Sequence, residues 1–435
     1  MNADERKIFL SGTSASIAAI IAFCQISTQS LELSFNGYTQ YLFIISIILF
    51  FFAKEHKKIF SNLKISKGLL LIFGLLAASS LSILNTADTL TSAKRLTMIF
   101  SVALITFLIA NCTINPKKLL LGVSTGITTV TAISVLYSLV AAAIDFNFIN
   151  QQPYELVAIN IFGLELQQTI AHRAYMYDGS TYYIQRYAGI FPNPNGLGLM
   201  SAISFALSSL FISGKKIKYT LQTLFIIGLF LSLSRMGLLL FTASFIYYTV
   251  NNTVIRRVTC AAMITGLFSF LFFTVSSEVS TELTSHYNSL GNQELFQLRD
   301  RAHLMSQAWL GFLGNWPLGV GFGVGAEYLF HDNADTLAVH SVFINTALET
   351  GILGITFLLA IWLLPIFATK SRRDANNDTA HERDIIAAIL FGLFFAEAFD
   401  LSVMRFHYIH LIFFFLLGTW SAMGRTSKDT ALNNV

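Results

Sequence analysis

Charge is scarce in this chain. Only 12% of its 435 residues are Asp, Glu, Lys or Arg, against about 25% in a soluble domain. That shortage excludes an ordinary water-soluble fold and leaves no room for a separate soluble domain. Cysteine is scarce too. Cys24, Cys112 and Cys260 lie in or beside apolar runs, far apart in sequence, so no metal-ligand spacing exists among them. No Asp-x-Asp pair occurs, which leaves a carboxylate-bound Mg²⁺ without support. No metal or other cofactor is expected, and no nucleic-acid partner. The first apolar run lacks a small-residue cleavage site, so it is expected to stay as a helix rather than leave as a signal peptide. Internal repeats and low-complexity tracts are also missing.

What is present is hydrocarbon. Hydrophobic residues make up 54% of the chain, and mean hydropathy is +0.62. Apolar runs of roughly 17–25 residues recur along the whole length, each long enough to cross a bilayer as a helix. Lipid offers no partner to an open sheet edge. The expected class is therefore all-α: one polytopic integral-membrane domain over 1–435, with about twelve transmembrane helices. The spans fall near 10–29, 38–53, 68–86, 96–112, 119–144, 196–213, 219–234, 236–250, 258–275, 341–367, 385–400 and 406–423. Two long loops remain, about 145–195 and 276–340, the second with an amphipathic helix near 295–313. Connections of that length are uncommon unless functional.

Lysine and arginine orient the spans. Twenty of the 28 basic residues fall in alternate connections on one side, which marks that side as cytoplasmic. Both termini are then cytoplasmic and both long loops are periplasmic. The eight basic residues on the outer side are Lys94, Arg95, Arg173, Arg186, Arg235, Arg299, Arg301 and Arg405, seven of them arginine. The inner side has thirteen lysines and seven arginines. Guanidinium presents a permanent, planar fork of donors suited to phosphate oxygens. The plainer account is structural pairing with Asp88, Asp178, Glu327 or Asp400.

Arg186 opens Arg-Tyr-Ala-Gly-Ile-Phe-Pro-Asn-Pro-Asn-Gly, where Pro and Gly set a tight turn into the sixth span. Arg235 closes Leu-Ser-Leu-Ser-Arg between two apolar runs. Arg299 and Arg301 precede Trp309 and Pro-Leu-Gly-Val-Gly-Phe-Gly at 317–323. His340 starts His-Ser-Val-Phe-Ile-Asn-Thr-Ala-Leu-Glu-Thr-Gly-Ile-Leu-Gly, at the mouth of a membrane helix. A histidine there can act as a neutral base near pH 7. Gly351 and Gly354 lie three apart on one helix face, where a second helix could approach closely. Glu349, about 13.5 Å deeper along a helix, reads as a buried structural acid, neutral or paired.

His, then Ser, then nine residues, then Gly-x-x-Gly resembles the signature of the O-antigen ligase family. The Arg186 turn, the Ser-x-Ser-Arg helix end and the glycine-rich stretch near 320 are similar to it too. The resemblance covers about 186–354 in four ordered pieces. It implies an enzyme of the bacterial inner membrane with its site on the periplasmic face. The implied donor is a glycan on undecaprenyl diphosphate, and the acceptor is a hydroxyl of a glycan or the lipid A core. The implied reaction inverts the anomeric centre without metal. His340 is then the base, with Arg186, Arg235 and Arg301 on the diphosphate and Arg299 and Arg405 as further candidates. Two other readings stay open: a polymerase of polysaccharide repeat units, sharing donor and base, and a transporter or flippase of an anionic lipid-linked glycan.

Overall fold

The computed structural model describes residues 3–21, 26–28, 66–86, 88–113, 115–144, 149–150, 154–161, 164–177, 180–191, 193–211, 214–250, 252–280, 293–330, 339–369, 379–399 and 408–432. The helices are α1 (Ala3–Ile21), α2 (Lys67–Ser82), α3 (Thr89–Cys112), α4 (Pro116–Ile144), α5 (Pro194–Phe211), α6 (Lys215–Ser232), α7 (Arg235–Thr249), α8 (Thr253–Ser280), α9 (Gln293–Gly314), α10 (Gly325–Phe330), α11 (Val342–Ala368), α12 (Ala380–Glu397) and α13 (Tyr408–Leu432). Helices occupy every expected span except 38–53, which lies outside the described residues. Five of them, within 67–85, 89–112, 116–143, 253–271 and 342–368, are long and apolar enough to cross a membrane, and Ile409–Gly424 is a shorter apolar helix. The amphipathic helix expected near 295–313 is α9.

Two expectations need correcting. The first helix stops at Ile21, and Ile26–Thr28 is a strand, β1, rather than the end of a span reaching 29. The loop expected at 145–195 is not irregular. It holds β2 (Ile149–Asn150), β3 (Tyr154–Ile161), β4 (Leu164–Tyr177) and β5 (Ser180–Tyr187). These form an antiparallel sheet with β1, so the all-α description holds for the helical bundle and not for this loop. β3 pairs with β4 from Tyr154↔Ala171 to Ile161↔Leu164, and β4 with β5 from Ile170↔Tyr187 to Tyr177↔Ser180. The chemistry is ordinary: runs rich in Ile, Val, Tyr and Thr favour strands, and Asp178-Gly179 between two of them is a strong hairpin signal.

The core lies where α12 meets α11, α7 and α13. From Ile385 to Ala396 every residue of α12 is buried. Phe343, Trp362, Phe394 and Phe413 interlock around it, with centroids 4.7 Å apart for Phe343–Phe394 and 4.3 Å for Trp362–Phe413. In lipid such packing acts through close van der Waals contact rather than escape from water.

Polar contacts sort the helix ends into two sets. At one end Arg256 of α8 pairs with Asp384 of α12, both almost fully buried, and donates to the Thr369 carbonyl at 3.0 Å. Lys117 meets Glu382 there at 2.6 Å, and Trp420 Nε1 donates to Thr369 Oγ1 at 2.8 Å. Tyr247 near the C-terminus of α7 donates to the Ile366 carbonyl near the C-terminus of α11 at 3.0 Å. The N-termini of α7 and α11, which start at Arg235 and just after His340, therefore share the opposite end.

Candidate active site

At that opposite end three helix termini meet beside the sheet. Arg186, next to last in β5, donates from Nε to the Ser232 carbonyl at 3.0 Å and from Nη2 to Asn195 Oδ1 at 2.8 Å. Ser232 is the last residue of α6. The guanidinium thus takes one of the carbonyls a helix end leaves without an internal partner, where the helix dipole is negative. Asn195 belongs to the first turn of α5, and its Oδ1 also accepts from Ser234 Oγ at 3.4 Å. Ser234 in turn caps α7, accepting from the Gly237 N–H at 3.1 Å. Between the two serines Leu233 takes φ +43°, a left-handed conformation that costs a non-glycine residue of order 1 kcal/mol or more. That bend separates α6 from α7 and sets exposed Arg235 on the first turn of α7. One amide oxygen therefore joins the Arg186 turn to the Ser-x-Ser-Arg segment, stretches 39 residues apart at Asn195 and Ser234.

His340 occupies a different helix mouth at the same end. The Ser341 N–H donates to the Val339 carbonyl at 2.7 Å, a three-residue turn with His340 at its tip. Ser341 Oγ then accepts from Ile344 N–H at 3.5 Å and caps α11. Val339 and Ser341 are buried, and His340 between them is half-buried. The imidazole is thus carried on an anchored turn rather than on a loose loop.

Further along, α11 is broken at Gly351. Gly351 has φ +66° and ψ −162°, a region essentially reserved for glycine. The carbonyls released there are taken by the glycine-rich stretch. Val320 N–H donates to the Leu348 carbonyl at 2.9 Å and Gly321 N–H to the Glu349 carbonyl at 3.0 Å, while Ile352 N–H donates to the Trp316 carbonyl at 2.9 Å. Gly319, at φ +75°, lies so close that a Cβ there would meet the Glu349 carbonyl carbon at 2.4 Å. Buried Glu349 accepts from the Gly325 N–H at 3.3 Å. The loop is held from the far side as well. Asn85 Nδ2 donates to the Gly319 carbonyl at 2.6 Å and Ser92 Oγ to the Phe322 carbonyl at 2.7 Å. Arg95 donates to the Gly323 carbonyl and pairs with Glu327 at 2.6 Å.

Gly351 is therefore not a close-approach residue on an unbroken helix face, as its spacing from Gly354 suggested. It is the breakpoint, because a loop backbone rather than a second helix fills the gap. Glu349 is the buried acid its depth implied, hydrogen-bonded to the Gly325 N–H, and Arg95 with Glu327 realises structural pairing of an outer arginine. Arg299 and Arg301 lie on α9, which packs against α11, but their side chains fall outside the described residues, as does Arg405 altogether. The role of Asn195 as the joint between two motifs was not legible in the sequence. Only its place in a Pro-Asn-Gly turn pointed that way.

A bundle of apolar helices with an arginine corner and a capped histidine turn at one end defines a polytopic helical membrane protein. Residues 221–359 match the family model described as O-antigen ligase. The matched segment takes in Arg235, Arg301, the glycine-rich loop and His340, and starts after Arg186. No curated protein matches the chain.

Proposed function

We propose that the protein is a glycosyltransferase that moves a glycan from undecaprenyl diphosphate to an acceptor hydroxyl at the periplasmic face of the bacterial inner membrane. The observation that supports it most is the joint at Asn195. Two arginine-bearing motifs meet there, at the end of the bundle that also carries the capped histidine. The lysine-rich end is the cytoplasmic one on this reading.

His340 takes the proton from the acceptor hydroxyl. The acceptor oxygen bonds to the anomeric carbon as the bond from that carbon to the diphosphate oxygen breaks, and the electron pair leaves with the diphosphate. Arg186, Arg235 and Arg301 stabilise the charge that builds on it, with Arg299 and Arg405 as further contacts. Donors already oriented act without reorganisation during the reaction, and the bonds from Arg186 to Ser232 and Asn195 orient its fork. The preferred acceptor is the lipid A core, which makes the protein a ligase. A polymerase of repeat units uses the same donor and base, and the fifteen residues between Arg173 and Gly189 are a spacing seen in such polymerases.

His340→Ala should abolish glycan transfer in vesicles carrying the lipid-linked donor while the protein still inserts and still binds that donor. Retained transfer refutes the base. A lipopolysaccharide gel of a strain lacking the protein separates the readings. Unattached long glycan indicates a ligase, attached single repeat units a polymerase, and an unchanged profile a transporter or another role.

A further inference from the structure

A second concavity lies at the other end of the bundle, away from Arg186 and His340. Helices α5, α6, α7 and α12 leave a cavity of about 230 Å³ between them. Its walls are aromatic and small: Phe205 meets Phe241 edge-on at 5.0 Å, Phe241 stacks on Phe245 at 6.2 Å, and Ala202 and Ala206 complete the floor. Tyr219 and Phe245, 60% and 53% exposed, flank an open side. The rim is polar and basic. Lys218 and Gln222 line it from successive turns of α6, with Lys215 and Lys216 exposed on the turn before.

The cavity is smaller than the roughly 300–1,000 Å³ of a site for a whole small molecule. It is open on the side of exposed Tyr219 and Phe245, so only part of a longer apolar ligand needs to enter. A void beside lipid forfeits dispersion contacts along its whole lining, which favours a chain as its filling. The lysines sit where a lipid headgroup would lie, and a basic cluster beside the hydrocarbon recognises acidic lipid. We propose that this is a binding site for an anionic glycerophospholipid. One acyl chain lies in the cavity between Phe205, Phe241 and Phe245, and the phosphate rests against the Lys218 ammonium with Lys215 and Lys216 around it. This site is independent of the Arg186 and His340 chemistry.

Native mass spectrometry of the full-length protein in detergent, titrated with phosphatidylglycerol or phosphatidylcholine, tests it. The wild type should retain phosphatidylglycerol about fivefold or more over phosphatidylcholine, the weight of a single lysine against an acidic surface. Lys218→Gln should remove that preference, and Ala206→Phe, which fills the floor, should remove retention of both lipids. Equal retention of the two lipids by the wild type overturns the site. So does undiminished phosphatidylglycerol binding in Ala206→Phe, or an equal loss in Lys215→Gln, Lys216→Gln and Lys218→Gln, which would place the lipid on a diffuse basic surface. Should Ala206→Phe fail to insert, Lys218→Gln on the half-exposed rim still decides the question.

Discussion

A methyl group at position 351 is a sharp test of how the glycine-rich loop is seated against α11. Gly351→Ala adds a single methyl group and leaves polarity unchanged, so its effect comes from backbone conformation and from what that methyl meets. At φ +66° and ψ −162° an alanine is strained by about 1–3 kcal/mol. Its Cβ would also stand 2.5 Å from the Pro317 carbonyl oxygen and 2.8 Å from the Leu318 nitrogen. Both are backbone atoms, so relief requires the loop to move. That movement threatens the bonds from Val320, Gly321 and Ile352, each worth about 1 kcal/mol net. The expected total is on the order of 4 kcal/mol, enough to lower the melting temperature by several degrees and to loosen the loop at 316–321 from α11. Thermal melting by intrinsic fluorescence, with transfer activity measured below the melt, is the assay. Gly266→Ala on exposed α8 is the control, since a Cβ there meets nothing within 4 Å and glycine-to-alanine changes in helices are mildly stabilising, by at most about 1 kcal/mol. Equal melting and full activity in Gly351→Ala would refute the idea that a glycine-only backbone seats the loop.

Other changes probe other parts of the molecule. Arg186→Lys and Arg235→Lys should each impair transfer, because an ammonium cannot reproduce the guanidinium fork. Full activity in both, measured with the lipid-linked donor, would remove these two arginines from the diphosphate. Asp384→Ala leaves buried Arg256 without its partner and should destabilise by about 3–5 kcal/mol, whereas Arg256→Met with Asp384→Leu should recover much of that loss in a melting experiment. Asp88 caps α3 by accepting from the Thr91 N–H at 3.0 Å, and hydrogen bonds from Thr91 hold its carboxyl below the ordinary 3.8. A depressed carboxyl stabilises the fold above its unfolded value and loses that contribution as pH falls through the folded one. The melting difference between wild type and Asp88→Ala should therefore be constant above about pH 5 and shrink in acid. A difference that stays constant as the pH falls from about 5 into acid would refute the charged cap.

The helical body was legible because lipid imposes one backbone solution and long apolar runs announce it. The sheet was hidden for a related reason. Its strands lie in a polar stretch, where the tyrosines between 154 and 187 fit the membrane interface as well as they fit strands. Asp178-Gly179 is a local hairpin signal within that stretch. At the site, the types and spacing of Arg186, Arg235 and His340 were readable, and so was the buried character of Glu349. The bonds that hold the segments carrying them were not. That Asn195 accepts from both Arg186 and Ser234, or that Gly351 interrupts α11, depends on two distant backbones arriving together. Periodicity along one segment carries no trace of such a meeting.

The exchange of bonds across the gap in α11 constrains any attempt to recombine this protein with a relative. Residues 316–321 and 348–352 complete one another's peptide groups, so neither stretch is a self-sufficient module. A crossover placed between them would pair a donor ladder from one parent with acceptors shaped by the other. Grafts that exchange 316–352 as a block keep that ladder within one lineage, whereas a junction at the start of the histidine helix would cut through it.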